Sequence, residues 1–168
     1  MYLGQVDLES TLTSAILVRD TSDTPINADA APSYRVYGPD GFVESGSASF
    51  KDSGSITGAT QATPIVITSA AHGLTTGARV TITGVEGNTA ANGTFTITKL
   101  TADTFSLDGT TGNAAYTEGG TWNVTGLYGF TINVLGVTGY EKGLNYQALF
   151  VYAVSATQKG QLVSFQVS

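Results

Sequence analysis

Cysteine is absent from the 168-residue chain. Its absence removes disulfide frameworks, thiolate metal sites and a cysteine nucleophile, and leaves the redox compartment unreadable. Charge is scarce as well: charged residues make up 12% of the chain, about half the usual share. The basic ones lie singly, at Arg19, Arg35, Lys51, Arg79, Lys99, Lys142 and Lys159. A nucleic-acid backbone is gripped by a basic stripe that releases counterions, so a chain of net charge −6 without such a stripe is not expected to bind nucleic acid. No apolar run approaches the ~18 residues that span a membrane as a helix, and no membrane partner is expected. The first ten residues, MYLGQVDLES, have neither a basic nor an apolar stretch of the secretory kind. They are expected to form an arm that orders on a partner. Helical periodicity is absent too.

What is present is a folding composition of a particular kind. Hydrophobic residues make up 41% of the chain, and a chain of this length buries roughly 70% of its unfolded surface without needing staples. Ser, Thr, Asn and Gly replace charge on the surface, which suits a subunit that packs against others. The 21 glycines cut the chain into short segments rich in Val, Ile, Thr, Tyr and Phe with period two, the pattern of strands. Turn signals separate them at Pro39–Gly41, Glu86–Asn88 and Asp108–Gly109.

Three zones follow. The first contains strands at Leu12–Arg19 and Ser33–Tyr37 and a third at Phe42–Phe50; the apolar run Ala15–Val18 implies burial on both sides of its strand. The second contains strands at Ile65–Thr68, Arg79–Thr83, Gly93–Lys99, Thr104–Leu107 and Gly120–Val124, the number and spacing of a small barrel or sandwich. In the third, Tyr128, Phe130, Ile132 and Val134 share one parity, as do Tyr146, Ala148, Phe150, Tyr152 and Val154, and Val163, Phe165 and Val167. The outer zones are each too small to close a core alone, and together they have the strands of one sandwich. The fold class expected is therefore all-β: an Ig-like β-sandwich made of residues 1–57 and 125–168, with a small β-barrel, 58–124, inserted between its strands. The Gly- and Ser-rich stretches Ser53–Thr60 and Thr125–Leu127 read as the joints.

The middle zone carries several landmarks together: AAHGL at Ala70–Leu74, V-x-I-x-G-V at Val80–Val85, N-G-T-F at Asn92–Phe95, D-T-F-x-L at Asp103–Leu107 and AYTEGGTW at Ala115–Trp122. In combination they resemble a β-barrel module recurrent in phage structural proteins and similar to the first catalytic-cysteine half-domain of ubiquitin-activating enzymes. That name carries no ubiquitin chemistry to a chain without cysteine. The flanks resemble, less specifically, small Ig-like proteins of tailed phages, through the opening Met1–Gly4, the turn Tyr34–Gly41, the Gly143–Tyr146 strand start and the closing Leu162–Val167. The resemblance implies a virion component, with other virion proteins as partners: the major capsid protein first, tail proteins second.

Candidate chemistry is thin. His72 is the sole histidine, and Ser69 and several Asp are available to it by count, but no nucleophile-elbow pattern surrounds them; a turn-stabilising His72 is the plainer reading. The carboxylates are spread singly, and Asp20, Asp23, Asp29 and Asp40 sit in turn-like segments where Asp bonds local backbone. Neither an EF-hand nor a phosphate-cradling glycine motif occurs. No catalytic, cofactor-binding or metal-binding residue is assigned, and no cofactor is expected. The aromatics Tyr2, Tyr116, Trp122 and Tyr140 fall at segment ends or loops, where they either anchor a protein interface or fold back on their own module. The function expected is structural: a capsid decoration or cement protein on the assembled shell, forming a homo-oligomer, with a tail, adaptor or fibre-attachment component as alternative. A carbohydrate-binding or host-adhesion module would instead use Trp122 and Tyr116 as platforms.

Overall fold

The computed structural model describes residues 1–50 and 52–168. Strands β1 (Tyr2–Val6), β2 (Ser10–Leu17), β3 (Ser33–Gly38), β4 (Gly41–Ser47) and β5 (Ser49–Phe50) come first. Next are β6 (Ser53–Ser55), β7 (Gly58–Ala59), β8 (Ile65–Thr68), β9 (Arg79–Val85), β10 (Gly93–Lys99), β11 (Thr104–Leu107) and β12 (Gly119–Val124). The chain ends with β13 (Leu127–Val134), β14 (Asn145–Val154) and β15 (Thr157–Val167). Among the described residues the only helical pieces are the 3-10 turns Thr89–Ala91 and Gly136–Thr138, so the protein is all-β. It divides into two compact units, Met1–Lys51 with Gly126–Ser168, and Asp52–Thr125.

The first unit is a sandwich of two sheets, ordered β1-β15-β14-β3-β4 and β2-β13-β5. Alternation explains it. On β13 and β14 the residues of one parity, Tyr128, Phe130, Ile132 and Val134, and Tyr146, Ala148 and Phe150, are buried, and they meet between the sheets with Val163, Phe165 and Val167 of β15. Tyr34 links the layers: its ring lies 6.0 Å from that of Phe130 and 5.3 Å from that of Phe150, and its hydroxyl donates to the Thr131 carbonyl at 2.8 Å. Gly46 is required opposite, because a Cβ there would stand 2.5 Å from the Tyr34 hydroxyl.

Several expectations change in this unit. Phe42–Phe50 is not one strand: the chain crosses from one sheet to the other at the buried Ala48, so β4 and β5 belong to different layers. Leu12–Arg19 is not buried on both sides either. β2 is an edge strand paired only with β13, its Thr11 and Thr13 are exposed, and only Ile16 and Val18 of the apolar run are fully buried. The opening residues are no loose arm: β1 pairs in parallel with β15, with Tyr2 beside Ser164 and Val6 beside Val167.

The second unit is a seven-stranded sheet ordered β6-β12-β9-β10-β11-β8-β7 around its own core of Ile65, Ile67, Val80, Ile82, Ile97, Phe105, Leu107 and Trp122. Its edge strands β6 and β7 are consecutive pieces of one segment. Ile56 N–H bonds the Gly120 carbonyl and Thr57 N–H the Thr68 carbonyl, so this segment reaches both ends of a strongly curled sheet without a ladder that closes it into a barrel. The stretch read as a linker, Ser53–Thr60, is thus strand-forming, and the first joint lies at 51/52 rather than 57/58. Gly54 gives the reason for the composition: it lies on the Trp122 indole, where a Cβ would be 2.9 Å from Nε1.

The β14–β15 hairpin turns through Ser155 and Ala156 at φ 50° and 61°, left-handed positions that cost a non-glycine residue roughly 1–2 kcal/mol. The Asp29 carboxylate holds them by accepting both N–H groups, at 3.0 and 2.7 Å. Ala156→Gly is expected to raise stability in urea melts by about 0.5–1 kcal/mol, the strain relieved less the entropy glycine adds to the unfolded chain. Burial pushes the phenols of Tyr34, Tyr128 and Tyr140 above their ordinary value of 10.0, and the hydrogen bond to Glu44 raises Tyr140 further. A phenol whose pKa rises on folding stabilises the fold while protonated. That contribution is intact below 10.0 and is lost as pH climbs past it. Urea midpoints are expected to hold steady up to that pH and to fall beyond it, with the part of the tyrosinate absorbance that belongs to these three phenols appearing only as unfolding proceeds.

Candidate functional site

The one place where a histidine, a hydroxyl and a carboxylate come near one another in sequence and fold is the loop after β8. Ser69–Leu74 turns back on the β10–β11 connection. Ser69 N–H bonds the Asp103 carbonyl at 2.9 Å, Ala71 N–H the Asp103 carboxylate at 2.7 Å, and His72 N–H the Ala102 carbonyl at 3.2 Å. Ala71 and Gly73 take left-handed φ of 47° and 66°, which makes the turn tight enough for these contacts. Two of the sequence landmarks, AAHGL and D-T-F-x-L, are therefore the two sides of one loop contact.

His72 is 7% exposed, and both its nitrogens are engaged. Nδ1 accepts the Leu74 N–H at 3.0 Å, so the proton sits on Nε2, which donates to the Thr101 carbonyl at 3.2 Å. The ring also packs edge-on against Phe105 at 5.1 Å. An imidazole held this way has no lone pair left to take a proton from a substrate. Ser69 Oγ accepts the Trp122 Nε1–H at 2.8 Å, and none of these bonds joins His72 to Ser69 or to a carboxylate. The loop is a brace between β8, β11 and β12.

The four aromatic candidates separate. Trp122 is 3% exposed, its ring in the core of the second unit against Phe105 and its Nε1–H spent on Ser69; it offers no face on which a sugar or a partner would stack. Tyr116 is half-buried, its hydroxyl 3.0 Å from the Gly119 carbonyl and 3.2 Å from that of Ile56. Tyr140 is 1% exposed; it donates to Glu44 Oε1 at 2.8 Å and packs on Tyr146 at 4.8 Å. These three fold back on their own units because a phenol or indole at a loop can bury its ring and still bond a nearby backbone or side-chain acceptor. Tyr2 alone is a surface group, 61% exposed on β1.

The acids behave as turn residues. Asp20 Oδ1 accepts the N–H groups of Ser22 and Thr24 at 2.8 and 3.0 Å, Asp29 braces the β14–β15 turn, and Asp23 lies 3.6 Å from Arg19. A groove of about 350 Å³ in the first unit is lined by Thr13, Ser14, Ser47, Ser49, Phe50, Gly129, Phe130 and Thr131, with no titratable side chain among the described residues.

A surface that sequence reading passed over lies on the outside of the five-stranded sheet. The register puts Leu149 of β14 beside Leu162 of β15, Gln147 beside Tyr37 of β3, and Tyr37 beside Phe42 of β4. Tyr2 of β1 lies beside Ser164, on the same face. The signal was the run Leu149–Tyr152, apolar on both parities, which marks a strand covered on both sides.

Ser69→Ala leaves the buried Trp122 N–H without its acceptor and is expected to cost about 1–3 kcal/mol. Ser69→Thr, which keeps the oxygen, is expected to restore much of it. Thermal melts followed by Trp122 fluorescence, the single tryptophan of the chain, read this directly.

With this geometry in hand, the comparisons with known proteins bear on the second unit. The family model of the ubiquitin-activating enzyme E1 FCCH domain matches residues 61–125. No match was found among curated proteins. The matched span runs from the segment before β8 to the end of β12 and includes the Ser69–Leu74 brace, so the second unit carries an FCCH-like module.

Proposed function

We propose that this protein is a structural component of a tailed-phage virion that acts by binding rather than by catalysis, and that it decorates or cements the assembled capsid shell. The observation that carries the reading is the division of labour among side chains. The groups able to do chemistry, His72, Ser69 and Asp103, are consumed in the bracing of one loop. The side chains left outward on the five-stranded sheet are apolar, amide or hydroxyl, with Arg35 the one charge, the kind that build a contact surface. The virion assignment draws on the resemblance of the middle-zone landmarks to modules of phage structural proteins; the family match over 61–125 supports the FCCH-like module itself.

The mechanism is mass action. A subunit that binds the assembled lattice and not its dissociated parts stabilises the lattice by the free energy of binding, and symmetry repeats that gain over every equivalent site. A surface with few charges and many hydroxyls and amides fits such a role, because it makes a broad contact whose hydrogen bonds depend little on salt.

Quantitative mass spectrometry of purified particles made by the source phage tests the assignment. Hundreds of copies per particle are expected for a shell protein, against roughly six to twenty for a tail component. Absence of the protein from purified particles overturns the reading.

A further inference from the structure

The outer face of the β1-β15-β14-β3-β4 sheet is an unpartnered sheet face with a definite pattern. Six large apolar side chains stand on it: Tyr2, Tyr37, Phe42, Leu149, Val151 and Leu162, all among the most exposed large hydrophobics of the chain. A half-solvated antiparallel sheet ordinarily puts polar residues on that side. This face has no strand carboxylate, although the chain carries thirteen acids. Glu44, the one acid within these strands, sits opposite Val36 on the core side, where it accepts the Tyr140 hydroxyl. Arg35, beside Leu149, is the one charge that the strands place on the face.

We infer that a second copy of this chain covers this face, packed sheet to sheet about a two-fold axis that runs along β14. Self-complementarity is the first support. Two rows cross the strands: Tyr2, Ser164, Gln147, Tyr37, Phe42, and Leu162, Leu149, Arg35, Ser45. A two-fold axis along the middle strand lays β1 over β4 of the second copy and β15 over its β3. Tyr2 then meets Phe42 of the second copy, Leu149 meets its own equivalent, and Arg35 lies over Leu162 beside the Ser164 hydroxyl rather than over a second Arg35. The ~30° twist between aligned sheets shifts these partners without exchanging them.

Charge is the second support. Two molecules of net charge −6 repel, and an acid-free face lets them meet without placing carboxylates together. Area is the third. Five strands about 4.8 Å apart, each contributing about 20 Å of length, give on the order of 1,000 Å² over two copies, the lower threshold for a specific interface and the size of a weak, micromolar one. The inference does not depend on the virion assignment.

Sedimentation of the full chain across the micromolar range is expected to show a dimer. Leu149→Asp, at a position already exposed, is expected to weaken it at least tenfold, while the thermal melt taken at concentrations where both chains are monomeric stays unchanged. Because the chain has no cysteine, Leu149→Cys gives a single reporter on the axis, and a short bis-maleimide, able to span the ~10 Å between facing sheets that a disulfide cannot, is expected to yield covalent dimer. Thr13→Cys, on the outer side of the other sheet, is expected to yield little. A monomer at every concentration overturns the proposal and leaves the face to a different protein. So does a dimer that persists in Leu149→Asp, or equal cross-linking from the two positions.

Discussion

The ring of Tyr34 lies between the two sheets of the first unit, against Phe130 from one and Phe150 from the other, with its hydroxyl bonded to the Thr131 carbonyl. A period-two strand has two faces and can commit only one of them to a core, so the unit exists because aromatics from both layers meet there. A fully buried ring of this kind is worth roughly 1.5–3 kcal/mol of transfer free energy, and the hydroxyl must find an acceptor for that gain to survive. Gly46 leaves the room, and the crossing at Ala48 carries the chain to the other layer just beyond it. The second unit solves the same problem with Trp122, whose ring joins Phe105 and whose N–H is met by Ser69.

In both units polar side chains of the loops are used to lock irregular backbone. His72 with Asp103, and Asp29 at the β14–β15 turn, each satisfy N–H groups that a left-handed or tight turn leaves outside the ladders. Buried Asn88 does the same where three loops meet, donating to the Thr60 carbonyl at 2.9 Å and accepting the Asn113 N–H at 3.2 Å. Groups spent in this way are not available to a substrate, which is why the proposed function is one carried by surfaces. The sheet face left open in the first unit is where such a function has material to work with.

Much of this was legible in advance. Ile65–Thr68, Gly93–Lys99 and Thr104–Leu107 form strands within the expected bounds, because alternating apolar and Thr residues have one low-energy use in a half-buried sheet. Ser53–Thr60 was misread because glycine and serine carry no hydrophobic period; its strand character comes from β12 and β8, which supply the hydrogen bonds, and from the indole that excludes a Cβ at Gly54. Phe42–Phe50 looked continuous because nothing in a run of small residues marks a change of sheet. For Trp122 and Tyr140 the choice between an interface anchor and a ring folded back on its own module stays open in the sequence, because position at a segment end does not reveal whether a ring has an acceptor within reach.

What the sequence determined by itself is the all-β class, the inward parity of its long strands and the loop character of its aspartates, since each follows from local period or local backbone bonding. The tertiary structure decided which sheet a segment joins, which aromatics are hidden, and that Leu149, Leu162, Tyr37, Phe42 and Tyr2 form one surface. Those outcomes depend on cross-strand register between residues far apart in the chain, and register is set by pairing partners that no local stretch contains.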